Sequence, residues 1–239
     1  MELTDKRLVS LLWMLKNKDK TWSILALRKG AVALLNKKDD EVKYKQKTPF
    51  PIIDGRSLTY GPTYTFVTKE LEKNGYVVKD SKTSEYRVAK ASDLVKLISL
   101  ARPFSGLDTI DYYSPLGFTA TLKLLQEAKL PYALTAFAGG ELYHPYVKTD
   151  QVHAYIREAD AGQWENYLRA KNCLRATSKS QANLFLVPTR IESLLGQGQK
   201  VKGFQVAPAP ILLSDLLSMG GLAEEQGRLL LEEWLDNRM

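Results

Sequence analysis

Two short stretches decide the fold. The first is Gly61-Pro62-Thr63-Tyr64-Thr65-Phe66-Val67-Thr68-Lys69-Glu70-Leu71-Glu72-Lys73-Asn74-Gly75, and the second is Tyr76-Val77-Val78-Lys79 with its echo Glu85-Tyr86-Arg87-Val88. Gly61-Pro62 opens a helix, because proline is favoured in a first turn, and Asn74-Gly75 closes it with a pair suited to a left-handed C-cap. Residues 76–79 read as a strand, 80–84 as a polar turn and 85–88 as the antiparallel return. On the helix, Tyr64, Val67 and Leu71 cluster on one side and are expected to face the core. The 3.6-residue period sets Pro62, Thr65, Phe66, Lys69 and Lys73 on the other side.

Working outward, residues 4–18 form a helix whose stripe is Leu8, Leu11, Leu12 and Leu15. A second helix starts near Thr21, its expected N-cap, and carries Ile24, Leu25, Leu27, Val32 and Leu35 up to the charged run 36–41. Residues 42–60 are rich in Lys and contain Thr48-Pro49-Phe50-Pro51 and Asp54-Gly55, the composition of a loop. A further helix spans about 92–102. Three helices, a hairpin and a helix are the order of a winged helix-turn-helix domain, covering residues 1–103. Its third helix is then the recognition helix, with Thr63, Thr65 and Phe66 near base edges and Lys69 and Lys73 on phosphates. Lys79, Lys82 and Arg87 line the wing. A merely solvated Lys face, and a winged helix used for protein contacts, are the competing readings.

Charge supports the DNA reading. Residues 1–103 hold 21 Lys+Arg against 12 Asp+Glu, whereas residues 104–239 hold 13 against 15. A basic block of this size attracts phosphate backbones. No apolar run approaches the roughly 20 residues that span a bilayer, and Met-Glu-Leu-Thr-Asp-Lys does not begin a secretory signal. Cys173 is the single cysteine, and His144 and His153 are the two histidines, so neither a disulfide nor a Cys- or His-built metal site is expected. A cytoplasmic protein with no cofactor, no metal and no membrane contact follows as the expectation.

The second half begins after Pro103 and alternates helices with short apolar strands, which argues for a mixed sheet covered by helices and an α+β chain as a whole. Strands are expected at 132–135, 151–156, 174–177, 183–187 and 204–207. Helices are expected from Ser114-Pro115 to Leu125, up to Tyr143, over 162–170, and in a final pair, 211–218 and 222–237, parted at Gly220-Gly221. Residues 134–153 resemble the core of the nucleotidyltransferase fold, in which a glycine turn, a helix and a strand bearing two carboxylates hold catalytic metal ions. Asp150 stands for the first carboxylate, but Val152 occupies the second position, and Ala136 and Phe137 replace the turn glycines. A degenerate nucleotidyltransferase-like fold and an ordinary strand–helix–strand unit both fit, and no catalytic residue is assigned. Gly139-Gly140 lacks the Lys-Ser/Thr of a phosphate loop. His144 and His153 have no Gly-x-Ser-x-Gly elbow to serve. Asp215 is expected to meet an arginine, and Cys173 to be an inert thiol. Glu224, Glu225, Glu232 and Glu233 fit a solvated helix face or an acidic partner surface.

A wider resemblance spans most of residues 60–239. The winged helix, Tyr132-Ala133-Leu134-Thr135 with small residues after it, Pro145-Tyr146-Val147, Val152-His153-Ala154-Tyr155-Ile156 and Asn183-Leu184-Phe185-Leu186-Val187-Pro188 resemble the AbiEi family. So do residues 207–217, ending in Asp215-Leu216-Leu217, and Gly220-Gly221-Leu222-Ala223-Glu224-Glu225. These are antitoxin and transcriptional-regulator proteins of type IV toxin–antitoxin (abortive infection) systems. Where the family more often has Gly after Ala-Leu-Thr, this chain has Ala136. The resemblance implies a sequence-specific DNA-binding regulator that represses its own operon at operator repeats, binding cooperatively or as a dimer. It also implies that residues 104–239 counteract a cognate toxin, without a cofactor. A nucleotidyltransferase-fold enzyme and a winged-helix adaptor are the alternatives.

Overall fold

A computed structural model describes residues 3–35 and 60–239. The loop expected over 42–60 lies outside the described residues except for Tyr60. The chain is mixed α and β, and divides into two compact units, Met1–Ala101 and Arg102–Met239. Among the described residues no helix is long and apolar enough to cross a membrane.

In the first unit, α1 (Asp5–Lys16) is capped by Thr4, whose hydroxyl accepts the Arg7 N–H at 3.4 Å. Asp5 in its first turn and Lys16 in its last complement the helix dipole. The expected stripe Leu8, Leu11, Leu12 and Leu15 is buried. Helix α2 (Ile24–Leu35) starts later than its expected cap, Thr21. Ser23 caps it instead, its hydroxyl accepting the Ala26 N–H at 3.2 Å. The reason lies one residue earlier: both backbone polar groups of Trp22 are bonded to Tyr86, at 2.8 Å each, so the chain enters the helix only after Trp22. Leu25, expected in the apolar stripe, is 49% exposed.

An aromatic ladder ties these helices to the hairpin. Trp13 lies against α2 at Gly30, where an added Cβ would fall 1.7 Å from the indole Nε1, which explains a helix-interior glycine. The Trp13 ring meets Trp22 edge-on at 6.1 Å, and Trp22 stacks on Tyr86 at 5.5 Å. Such pairs contribute about 0.5–1.5 kcal/mol each beyond the area they bury.

Helix α3 (Tyr60–Thr65) continues as a π-helical stretch, Phe66–Glu72. It ends at Gly75, whose φ of +71° suits glycine. There the N–H of Gly75 bonds Glu72 O and that of Tyr76 bonds Leu71 O, both at 2.9 Å, closing a Schellman motif. Strands β1 (Val77–Lys79) and β2 (Tyr86–Val88) pair antiparallel, Val77 opposite Val88 and Lys79 opposite Tyr86. The Asp80 carboxylate organises the connection by accepting the N–H groups of Lys82 and Thr83, which hold its pKa below the ordinary carboxylate value. Helix α4 (Ala91–Ala101) buries Leu94, Val95 and Ile98.

The second unit is built on five strands: β3 (Ile110–Tyr113), β4 (Tyr132–Thr135), β5 (Val152–Arg157), β6 (Leu174–Arg175) and β7 (Leu184–Thr189). Their order is β4-β5-β7-β3-β6, and within it the β5–β7 pair is parallel while the others are antiparallel. Strand β3 is absent from the expected elements. A small ladder of β8 (Lys200–Val201) and β9 (Phe204–Gln205) leads to Val206, which bridges to Leu134. The covering helices are α5 (Phe118–Glu127), α6 (Ala136–Tyr143), α7 (Ala161–Ala170), α8 (Ser193–Gly196), α9 (Ala209–Met219) and α10 (Gly221–Leu235).

Helix α5 begins after Gly117 rather than at the expected Ser114-Pro115, because Ser114 is committed elsewhere. The Asn183 amide clamps its backbone with bonds of 2.7 and 2.8 Å, and its hydroxyl meets Thr121 Oγ1 at 3.0 Å. Gly139 and Gly140 serve helix packing. A Cβ on the first would lie 2.7 Å from Leu212 Cδ1, and on the second 2.6 Å from Gln226 Oε1.

Candidate nucleic-acid interface

Of the eight residues expected to contact DNA, six are exposed: Thr65, Lys69, Lys73, Lys79, Lys82 and Arg87. Two are corrected. Thr63 is 3% and Phe66 4% exposed, so both belong to the buried side of α3 with Val67 and Leu71. Tyr64, expected in the core, is instead 43% exposed. The π-helical stretch accounts for the exchange. Hydrogen bonds from residue i to i+5 bring Phe66 and Leu71 over one another, where a strict 3.6 period would turn Phe66 away. The switch occurs where Thr68 donates its hydroxyl to Tyr64 O at 2.8 Å, loosening the ordinary ladder. The Arg7 guanidinium then covers the Phe66 ring at 5.2 Å, and Arg7 also pairs with Glu70.

The outward side of α3 therefore reads Tyr64, Thr65, Lys69 and Lys73, with Tyr60 at its start. Tyr60 and Tyr64 stack, ring centroids 6.0 Å apart. Their i, i+4 spacing was the available sequence signal for this pair, since side chains one turn apart meet on a helix. On the hairpin, alternation separates the expected wing residues. Arg87 and Val78 share the outer face, whereas Lys79 shares a face with Tyr86 and holds its Nζ 5.9 Å from that ring. Lys82 stands in the connecting turn, exposed.

The second unit separates the pieces of the expected carboxylate site. Asp150 is exposed and precedes β5, while Val152 is fully buried on the strand. Asp150 edges a groove of about 560 Å³, and it is the one acidic residue of a lining that includes Tyr113, Leu174, Arg175, Thr177 and Asn183. Among the described residues no group of three or more His, Cys, Asp or Glu is placed to hold a metal ion.

Asp215 meets its arginine. Its Oδ1 lies 3.1 Å from Arg102 Nη1, and its Oδ2 accepts the Thr135 hydroxyl at 2.6 Å and the Tyr155 hydroxyl at 2.7 Å. Arg102 Nη2 donates to Tyr155 Oη at 2.8 Å. Burial pushes the Asp215 carboxyl up, and the guanidinium and the two hydroxyls pull it back. Because Thr135 spends its hydroxyl on Asp215, it does not cap α6, which starts on Ala136 at φ +48°. His153 is also buried, among the rings of Phe104, Phe137 and Phe185. Burial lowers its pKa to about 3, so it is a neutral core residue at ordinary pH.

The acidic residues of α10 are largely paired. Glu224 bonds Arg228, Glu225 accepts the Tyr146 hydroxyl at 3.0 Å, and Glu233 lies 3.2 Å from His144 Nδ1. Cys173 is buried, and burial raises its thiol pKa. No protein-family model, no curated protein and no solved structure matches the chain.

Proposed function

We propose that the chain is a sequence-specific DNA-binding transcriptional regulator whose first unit acts as a winged helix-turn-helix. The observation that carries this reading is the exposed side of α3, with Thr65, Lys69 and Lys73 aligned along it and Lys82 and Arg87 on the following hairpin. A helix of this make-up, braced from behind by its own apolar side, suits the major groove. The hairpin cations then reach the flanking backbone. Each phosphate neutralised releases counterions, so affinity falls with salt at a slope of about 0.9 per contact. Duplex binding against salt concentration tests the reading. Lys69→Ala/Lys73→Ala should weaken binding across all sequences and lower the slope by about 2. A variant that binds like wild type with an unchanged slope would sink the assignment.

The second unit we read as a non-catalytic module with the antitoxin and cooperative-repression work that the AbiEi-like resemblance implies, on operator repeats. Val152 buried in place of a carboxylate, and Asp150 standing outside the strand, support the non-catalytic part. Metal-dependent nucleotide turnover lost in Asp150→Ala would overturn it. Co-expression with the neighbouring open reading frame tests the antitoxin part, and absence of any protection would count against it.

A further inference from the structure

Charge alone does not describe the outward side of α3. Tyr60 and Tyr64 sit one turn apart, their ring planes 19° apart, and each remains 43% exposed. The Arg28 guanidinium lies 5.9 Å from the Tyr60 ring centroid and steadies the pair from α2. Single exposed aromatics are ordinary surface. A stacked pair is different, because each ring restricts the other and loses little freedom when a partner arrives. The same side carries Lys69 and Lys73 beyond Tyr64, so the partner that fits it is anionic. In a helix laid in the major groove, the N-terminal residues meet base edges. Tyr64 occupies that part of α3 and Lys73 its far end.

We propose that Tyr64, positioned by Tyr60, is the principal base-contacting residue of this interface and reads thymine. The inference rests on the DNA-binding reading above. Thymine shows the major groove a C5-methyl group and an O4 acceptor. A phenol offers the matching pair, an apolar ring for the methyl and a hydroxyl donor for O4. Tyr64 therefore takes the place that the buried Phe66 leaves, with a hydrogen bond added.

The test selects from random-sequence duplexes with the full chain, then replaces each thymine of the enriched duplex by deoxyuridine, which lacks the methyl group. For wild type, replacement at one or two positions should cost about tenfold in affinity. Tyr64→Ala should bind the enriched duplex about tenfold more weakly, with an unchanged salt slope and no penalty from deoxyuridine. Tyr64→Phe should keep the methyl penalty. A Tyr64→Ala protein that enriches the same sequence with the same penalty would overturn this inference and leave DNA binding standing. A wild type that binds no duplex would overturn both. An unchanged selected sequence together with a changed oligomer mass in Tyr64→Ala would assign the pair to a protein contact and overturn it as well.

Discussion

The outward side of α3 and the surroundings of Asp215 use the same kinds of side chain in opposite settings. Each combines positive charge, a threonine hydroxyl and tyrosine: Lys69, Lys73, Thr65 and Tyr64 on the one, Arg102, Thr135 and Tyr155 on the other. On α3 they stand in water, where a charge costs little to keep and its field reaches outward. Around Asp215 they are enclosed, and every group must find its partner inside the fold. The contrast teaches where a charge can act on something else and where it can only hold the protein together.

The hardest test of that contrast is Asp215→Ala. It leaves the Arg102 guanidinium without its carboxylate and the Thr135 and Tyr155 hydroxyls without their acceptor. Denaturant unfolding of the full chain should show a loss of about 3–5 kcal/mol. A loss below about 1 kcal/mol would break the comparison, because the enclosed site would then tolerate unpaired polar groups as a surface does.

His153 extends the contrast to pH. The unfolded chain takes up a proton near the ordinary value of 6.5, whereas the buried ring resists until about 3. Its share of stability is therefore whole above pH 6.5 and lost as pH falls towards 3, at up to ~1.4 kcal/mol per pH unit. His153→Leu should flatten this part of the stability–pH curve, and a curve of unchanged steepness would show that other groups set it.

Ala136 tests backbone strain inside the enclosed unit. At φ +48° it bears a conformation that glycine adopts freely. Ala136→Gly should shift stability by less than about 1 kcal/mol, strain relief offsetting the looser unfolded chain. Ala138→Gly, in the same helix without that strain, should cost about 1 kcal/mol or more. Equal losses from the two would remove the strain argument. The smallest effect belongs to the open side: Lys69→Ala/Lys73→Ala should move unfolding stability by no more than about 0.5 kcal/mol while it weakens DNA binding.

Much of the element order was legible in the residues because it depends on local chemistry. The Gly75 cap, the hairpin and strand β4 follow from punctuation and short apolar runs. Strand β3 was not legible, since Asp111 interrupts a run of four residues and the pairing with β6 and β7 makes it a strand. The exchange of Phe66 and Tyr64 was hidden for another reason. Composition does not announce a π turn, and a 3.6 period assigns both residues to the wrong side once the helix widens. Lys69 and Lys73 were readable because two residues spaced by four share a side in either geometry closely enough. Asp215 was readable as a residue in need of an arginine, but which arginine depended on the path of the chain.

The bridge between Trp22 and Tyr86 has a kinetic meaning. It joins the α1–α2 connection to a hairpin far along the chain, so its closure carries the entropy cost of a long loop. A two-stranded ribbon of three residues a side would barely persist alone. Latched in this way, it opens only when the first unit opens. The amide protons of Trp22 and Tyr86 should then exchange with solvent at the rate of global unfolding, among the slowest in that unit.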